Sequence, residues 1–212
     1  MIYELVGPMG VGKTTVAPLV AEQLGIPFYR GQAFHGLDDE PLSAARVWSD
    51  RVTSVLRKPG LARSAMGSHP GTFRERLNFT LNICRRDQLE AKASERGPGV
   101  VESGPVHAIS QVAAWVRADL SPLAGHITPA AVYVRLSASD EEVTRRLDGR
   151  GQLPAEYVAA HADWIERYDG CVDAMMRHLD RPIVTVDASG EPDQVAANVV
   201  DALRSAGVPP PA

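Results

Sequence analysis

The stretch Gly7-Pro8-Met9-Gly10-Val11-Gly12-Lys13-Thr14-Thr15 follows directly on the apolar run Ile2-Tyr3-Glu4-Leu5-Val6 and satisfies the pattern G-x-x-x-x-G-K-[ST] at every fixed position. Successive backbone N–H groups can turn inward around a phosphate where glycines admit φ > 0, and Gly7, Gly10 and Gly12 supply that freedom. Lys13 is then set to bridge the β- and γ-phosphates, the Thr14 hydroxyl to ligate Mg²⁺, and Thr15 to meet the α-phosphate, with the following helix aiming its N-terminus at the anion. Met9 and Val11 complete the loop that would wrap the nucleotide. A turn that merely joined a strand to a helix would give no reason for Lys-Thr at these positions. The stretch therefore implies a nucleoside triphosphate, with ATP and Mg²⁺ as the expected cofactors.

The rest of the chain bounds that expectation. Its 212 residues, 44% of them hydrophobic, suit one α/β domain with a sizeable core. Twenty-two basic and 26 acidic residues leave a net charge of −4, so no field of one sign recommends nucleic acid or an anionic membrane as a partner. Cys84 and Cys171 show no C-x-x-C or Cys/His spacing, which argues against a disulfide framework or zinc site and for buried, reduced thiols. The N-terminus enters a strand at once and no run approaches 18 apolar residues, so a cytoplasmic protein is expected. Residues 207–212, rich in proline, are expected to end in disorder.

Along the chain, Lys13 to Leu24 reads as a helix closed by Gly25 and bent at Pro18, followed by a short strand Ile26-Pro27-Phe28-Tyr29. From Arg30 to about Gly99 the pattern is helical and polar, broken at Lys58-Pro59-Gly60 and at 67–71. Residues 36–99 are expected to be the helical region that binds substrate. Within it, Thr72 to Ala93 carries Phe73, Leu77, Leu81, Cys84 and Leu89 near helical spacing. Val100-Val101-Glu102, Ala131 to Leu136 and Ile183 to Asp187 are short β-branched strands separated by helical material. That alternation predicts a three-layer, doubly wound parallel sheet, with ligands at the carboxyl ends of its strands.

Phosphoryl transfer needs a metal, a cationic clamp and an acid, and the sequence offers a candidate for each. Glu102, at the end of a strand and ahead of Ser103-Gly104, is the candidate metal-linked or catalytic acid. Asp187 is the alternative acid, although Asp187-Ala188-Ser189-Gly190 reads better as a turn beside the nucleotide base. Arg145, Arg146 and Arg150 close the helix that starts near Ser139-Asp140, and Gly149 and Gly151 suggest a lid over residues 145–163. A basic last turn satisfying the helix dipole is the plainer alternative. Arg85 and Arg86 lie inside an otherwise apolar helix, where a guanidinium needs an anionic partner, so one of them is expected to face the substrate. His35, Asp38 and Asp39 follow the second strand and are candidates to meet an acceptor hydroxyl.

These features together resemble the P-loop kinases of nucleotides, nucleosides and other small metabolites, most closely thymidylate and deoxynucleoside kinases. The resemblance implies a five-stranded sheet of order 2-3-1-4-5 in a single domain over residues 1–206. It makes Lys13, Glu102, Arg146 and Arg150 the catalytic set and Thr14 with Glu102 the metal ligands. Arg146, Asp187 and Ala188 would flank the nucleotide, and Arg30, Gln32, His35, Arg86, Ser103 and Gln111 would line the acceptor site. Two departures matter. Thymidylate kinases follow the strand-three acid with Arg, and this chain has Ser103, which argues against a nucleoside monophosphate acceptor. Leu24 to Tyr29 resembles shikimate kinase, yet the acids expected next are replaced by Arg30, Gly31 and Gln32, which argues against shikimate. Chloramphenicol phosphotransferase and similar antibiotic kinases share the scaffold, and an uncharged hydroxylated acceptor fits the shortage of phosphate-binding arginines.

The leading expectation is transfer of the γ-phosphoryl group of ATP to a hydroxyl or phosphate of a small molecule, in a protein that could pair through the Leu77 to Leu89 helix. The competing one is a regulatory nucleotide switch or an ATP-binding protein with slow hydrolysis. The chain lacks an Asn-Lys-x-Asp segment for guanine.

Overall fold

The computed structural model describes residues 1–30, 42–148 and 161–207. In chain order the elements are β1 (Ile2–Val6), α1 (Lys13–Leu24), β2 (Phe28–Arg30), α2 (Ala44–Arg57), α3 (Pro59–Ser68), α4 (Phe73–Arg96), β3 (Gly99–Glu102) and α5 (Pro105–Val116). A 3-10 turn (Ser121–His126), β4 (Val132–Ser137), α6 (Asp140–Asp148), α7 (His161–Leu179), β5 (Ile183–Asp187) and α8 (Pro192–Ser205) follow.

The strands pair in parallel in the order β2-β3-β1-β4-β5. Parallel strands need crossovers, and each is supplied by helical chain, which puts helices on both faces and buries both sides of the sheet. Alternation along the strands divides the core in two. Tyr3 and Leu5 of β1, Val100 of β3 and Val134 of β4 pack with α1 and α8. Ile2, Val6, Val101 and Tyr133 face the other way, toward α4, α5 and α7. On that second face, Trp164, Tyr168, Val172 and Met175 of α7 recur at helical spacing and are all at most 1% exposed. Each such side chain stabilises the fold by about 1.5–3 kcal/mol relative to exposure, and together they hold α7 against α5.

Local chemistry explains where the helices start and stop. Thr72 and Glu75 form a reciprocal capping box at the head of α4, in which Glu75 Oε2 accepts from the Thr72 N–H at 2.7 Å. Gly25 closes α1 in the left-handed region at φ 67°. Pro59 occupies the first turn of α3, so the break expected at Lys58-Pro59-Gly60 is the point where α2 hands over to α3. The strand expected from Ile26 begins only at Phe28, because Pro27 has no N–H to pair and contributes only its carbonyl, to Val100 N–H at 2.9 Å. The helix that carries Thr72 to Ala93 closes at Arg96, within the stop expected at Glu95 to Gly99.

Both cysteines are free. Cys84 is buried in α4, and burial pushes its thiol up to about 12, whereas Cys171 is only half-buried. Among the described residues no helix is long and apolar enough to cross a membrane. Residues 149–160 of the expected lid and the proline-rich residues 208–212 lie outside the described residues.

Candidate active site

The register of the sheet brings three strand ends level. Leu5 of β1 and Arg30 of β2 both lie opposite Glu102 of β3, so the residues that follow each strand open onto a common edge. The phosphate loop leaves β1 through Gly7, where a Cβ would meet the Leu136 carbonyl oxygen at 2.6 Å. It enters α1 through Gly12 at φ 105°, a left-handed cap position that a side chain would strain.

Inside this loop Lys13 is 7% exposed and folds back on the backbone, its Nζ donating to the carbonyls of Gly7 (2.7 Å) and Pro8 (2.9 Å). Thr14 donates its hydroxyl to Glu102 Oε1 at 2.7 Å. Glu102 is buried, and its second oxygen, Oε2, has no hydrogen-bond partner among the described residues. A cavity of about 210 Å³ stands over this pair, lined by Met9, Gly10, Gly12, Lys13, Ser103, His107 and Gln111 besides Thr14 and Glu102.

A hydroxyl beside a half-satisfied carboxylate is the donor set a hard divalent cation takes, and a magnesium ion would complete its octahedron with phosphate oxygens and water. The described residues contain no cluster of three His, Cys, Asp or Glu that could cage a metal unaided. The oxygens of a bound nucleotide would thus be needed to finish the shell.

On the other side of the loop lies a second cavity of about 500 Å³. Gly10 to Gly12 and Thr15 form one wall, and Glu142, Arg145, Arg146 and 188–192 the other. Arg146 ties these walls together. Its Nε donates to Glu142 Oε1 (2.7 Å), Nη1 to the Val11 carbonyl (3.1 Å) and Nη2 to the Ala188 carbonyl (2.9 Å). Asp187 ends β5 at the start of the segment that forms the second wall. Its Oδ1 accepts from Ser189 N–H at 2.9 Å, which holds its carboxyl below the usual range and makes it the anchor of a turn.

The expected acceptor residues converge from the far side of β3. Arg86 donates Nη1 to the Ser103 carbonyl and Nε to Asn82 Oδ1 (3.3 Å), and with Arg30, Tyr29, Leu89, Glu90 and Ser103 it borders a nearly closed cleft of about 10 Å³. Burial brings its guanidinium down to about 10, still charged at neutral pH. Its neighbour Arg85 is 1% exposed, inside the helical layer, so of the two arginines Arg86 is the one presented to the cleft. Ser103 holds φ 60°, an uncommon conformation for a residue with a side chain, and this sharp turn carries the chain from Glu102 into α5. Gln32, His35, Asp38, Asp39 and Arg150 lie outside the described residues.

Two residues enter that the sequence reading did not single out. The Tyr168 hydroxyl of α7 accepts from the Gly7 N–H at 3.0 Å and lies 2.8 Å from His107 Nδ1 of α5. Burial, with Lys13 and Arg86 nearby, pulls His107 well below its ordinary value and keeps it neutral. Nothing local marks either residue. Their partners are 161 and 61 residues away, and only a helical stripe of aromatics in α7 could have hinted at Tyr168.

Comparison with known proteins agrees with this arrangement. Residues 3–79 match the family described as ATPase family associated with various cellular activities (AAA). A shikimate kinase of Streptomyces avermitilis is 28% identical over 211 residues, covering 94% of each protein. Among solved structures, a deoxyadenosine kinase from M. mycoides with bound dATP superposes with a TM-score of 0.56 at 12% identity, over 96% of this chain and 100% of that one. A gluconokinase from Sinorhizobium meliloti 1021 superposes with a TM-score of 0.50 at 17% identity, over 96% and 91%. Strand order and whole-length likeness show that this chain has the fold of these kinases, with a phosphate-loop sequence between β1 and α1.

Proposed function

We propose that the protein transfers the γ-phosphoryl group of ATP to a hydroxyl of a small molecule, with Mg²⁺ on Thr14 and Glu102. The observation that carries this reading is the Thr14–Glu102 hydrogen bond at the mouth of the phosphate loop, directly beside a separate cleft bordered by Arg30, Arg86 and Ser103. A hydrolase or switch needs the first feature and has no use for the second. A phosphotransferase needs both, because the incoming hydroxyl must reach the γ-phosphate in line with its leaving oxygen.

On this reading the nucleoside part of ATP lies in the cavity between the loop and 188–192. Lys13 exchanges the Gly7 and Pro8 carbonyls for phosphate oxygens, which costs little because the donor is already in place. A magnesium ion held by Thr14 and Glu102 would supply positive charge to the transferring phosphoryl group, and the hydrogen bond from Thr14 holds the Glu102 carboxylate in place for it. Arg146 closes the nucleotide side. Two guanidiniums at the acceptor cleft favour a hydroxylated molecule that also carries a carboxylate or another anionic group, over the wholly uncharged acceptor that the sequence suggests.

The relatives named above include kinases of shikimate, gluconate and deoxyadenosine, so these three acceptors and a hydroxylated antibiotic form the first panel. ADP release from ATP and Mg²⁺ is measured with each, beside an acceptor-free control. Stimulation by one hydroxylated acceptor, with a phosphorylated product of the expected mass, is the anticipated result. Slow ADP release unchanged by every acceptor would overturn the reading for that panel and favour a nucleotide-binding or switching role.

A further inference from the structure

β1 carries a carboxylate in the middle of an apolar strand. Glu4 is fully buried, and Glu90 of α4 is 2% exposed. Both reach the same point of backbone. A Cβ built on Gly104 would stand 2.5 Å from Glu90 Oε2 and 2.8 Å from Glu4 Oε2, so no larger residue fits between that turn and the two carboxyls. Glu4 Oε1 accepts from the His107 N–H at 3.0 Å. Glu4 Oε2 and both oxygens of Glu90 have no donor among the described residues. The backbone N–H groups of His107 and Val106 favour the ionised form of Glu4, but with both side chains ionised Glu4 Oε2 and the Glu90 oxygens are acceptors with nothing to accept; one proton turns one side chain into a donor to the other.

The charged surroundings are few. Arg86 and Asp87 stand on the same helix as Glu90, and Arg86 is the cation whose attraction reaches Glu4. From the other elements come His107 of α5, Tyr133 of β4 and Tyr168 of α7. Burial keeps His107 deprotonated and both phenols protonated, so none of these three carries charge near neutral pH. Arg30 of β2 borders the same cleft as Glu90 and Arg86. Glu102 belongs to the opposite side of β3 by strand alternation, and it acts on Arg86 rather than on the pair.

We propose that Glu4 and Glu90 are positioning residues that share a single proton, and that the one negative charge they retain holds the Arg86 guanidinium in the wall of the acceptor cleft. The inference rests on the phosphotransferase reading for its functional half. A counter-charge made of two carboxyls and one proton has a consequence that a lone carboxylate would not. Burial raises Glu4 to about 7 and Glu90 well above the carboxylate range. The pair therefore keeps its charge above about pH 7 and loses it as the pH falls through that value, when a second proton binds. Acceptor binding should weaken on that acid limb while ATP binding does not.

The test separates the two residues. Glu4→Gln removes the charge that Glu4 holds and leaves Glu90, whose burial and the neighbouring Asp87 still favour its protonated form. Glu90→Gln leaves the Glu4 carboxylate with a donating amide beside it and keeps the counter-charge. The expected result is a rise in acceptor KM of about tenfold or more in Glu4→Gln, with loss of the acid limb, whereas Glu90→Gln, whose side chain itself borders the cleft, keeps the acid limb. ATP KM should stay within about twofold in both. Equal losses in the two variants with the acid limb intact would overturn the proposal, because a merely structural role would not distinguish them.

A second readout needs no acceptor. Infrared spectra of the whole protein at about pH 8 should show the carbonyl stretch of a buried protonated carboxyl that Glu90→Gln removes. Lowering the pH to about 6 should enlarge that band in the wild type but not in Glu4→Gln. Absence of the band from the wild type would overturn the shared proton, whatever becomes of the kinase reading.

Discussion

The nucleotide side and the acceptor side of the site are built in opposite ways. On the nucleotide side, nine consecutive residues supply the cradle, and the groups that matter are largely main-chain N–H and C=O, with Lys13 and Thr14 adjacent in sequence. On the acceptor side, Arg30, Arg86 and Ser103 come from three elements and 74 residues of chain (30 to 103), and each is a side chain or turn positioned by others. A cradle made of backbone can be carried by a short motif, because its shape follows from φ and ψ. A cleft made of distant side chains exists only when β2, α4 and β3 are packed, and the residues that fix it, Glu4 and Glu90 among them, need not touch the ligand.

That contrast predicts where substitutions hurt and what they change. The largest effect is expected at Lys13→Ala, which removes the charge on the transferring phosphoryl group. kcat should fall about 10²–10³-fold in the ADP-release assay, and a smaller loss would mean that the local cradle is less decisive than its geometry suggests. Glu102→Gln comes next, since it keeps the Thr14 hydrogen bond but weakens the cation. kcat should fall about 10²-fold, with more Mg²⁺ needed for half-maximal rate, and an unchanged Mg²⁺ requirement would remove Glu102 from the metal site.

Arg86→Ala acts on the other half. Acceptor KM should rise about tenfold with ATP KM nearly unchanged, read from two-substrate kinetics, and a matched rise in both would erase the division between the two sides. The smallest effect is expected at Tyr168→Phe, which leaves the Gly7 N–H without its buried acceptor. Unfolding in denaturant should show a loss of about 1–2 kcal/mol, with ATP affinity following because the first residue of the loop is loosened. Full stability in that variant would show that the long-range support from α7 is dispensable.

Much of this was legible in advance, for reasons that differ from residue to residue. The five strands and their helices could be read because β-branched runs and apolar spacing report burial, and Thr72-x-x-Glu75 reports a helix start. The two-residue difference at β2 falls where Pro27, which has no N–H to pair, decides the boundary. Gln111, Arg86 and Ser103 were recognised through resemblance, and the structure brings all three near the end of β3. Asp187 was read as part of a turn, and its Oδ1 caps that turn. Arg146, expected both to serve a lid and to flank the nucleotide, bridges Val11, Glu142 and Ala188 beside the phosphate loop. His107, Tyr168, Glu4 and Glu90 gave no signal. A histidine near a helix start and a glutamate in a strand are ordinary until their neighbours are known.

By itself, then, the sequence determined that this chain folds as a doubly wound sheet and presents a phosphate-binding loop, because both follow from periodicity and from the conformations that a few glycines allow. Tertiary structure alone decided which distant side chains brace the phosphate loop, how Arg146 joins the two walls of the cavity beside it, and which carboxyls share a proton. Those outcomes depend on distances between residues far apart in the chain, and on how much water is excluded between them, and neither quantity is written in the local order of the residues.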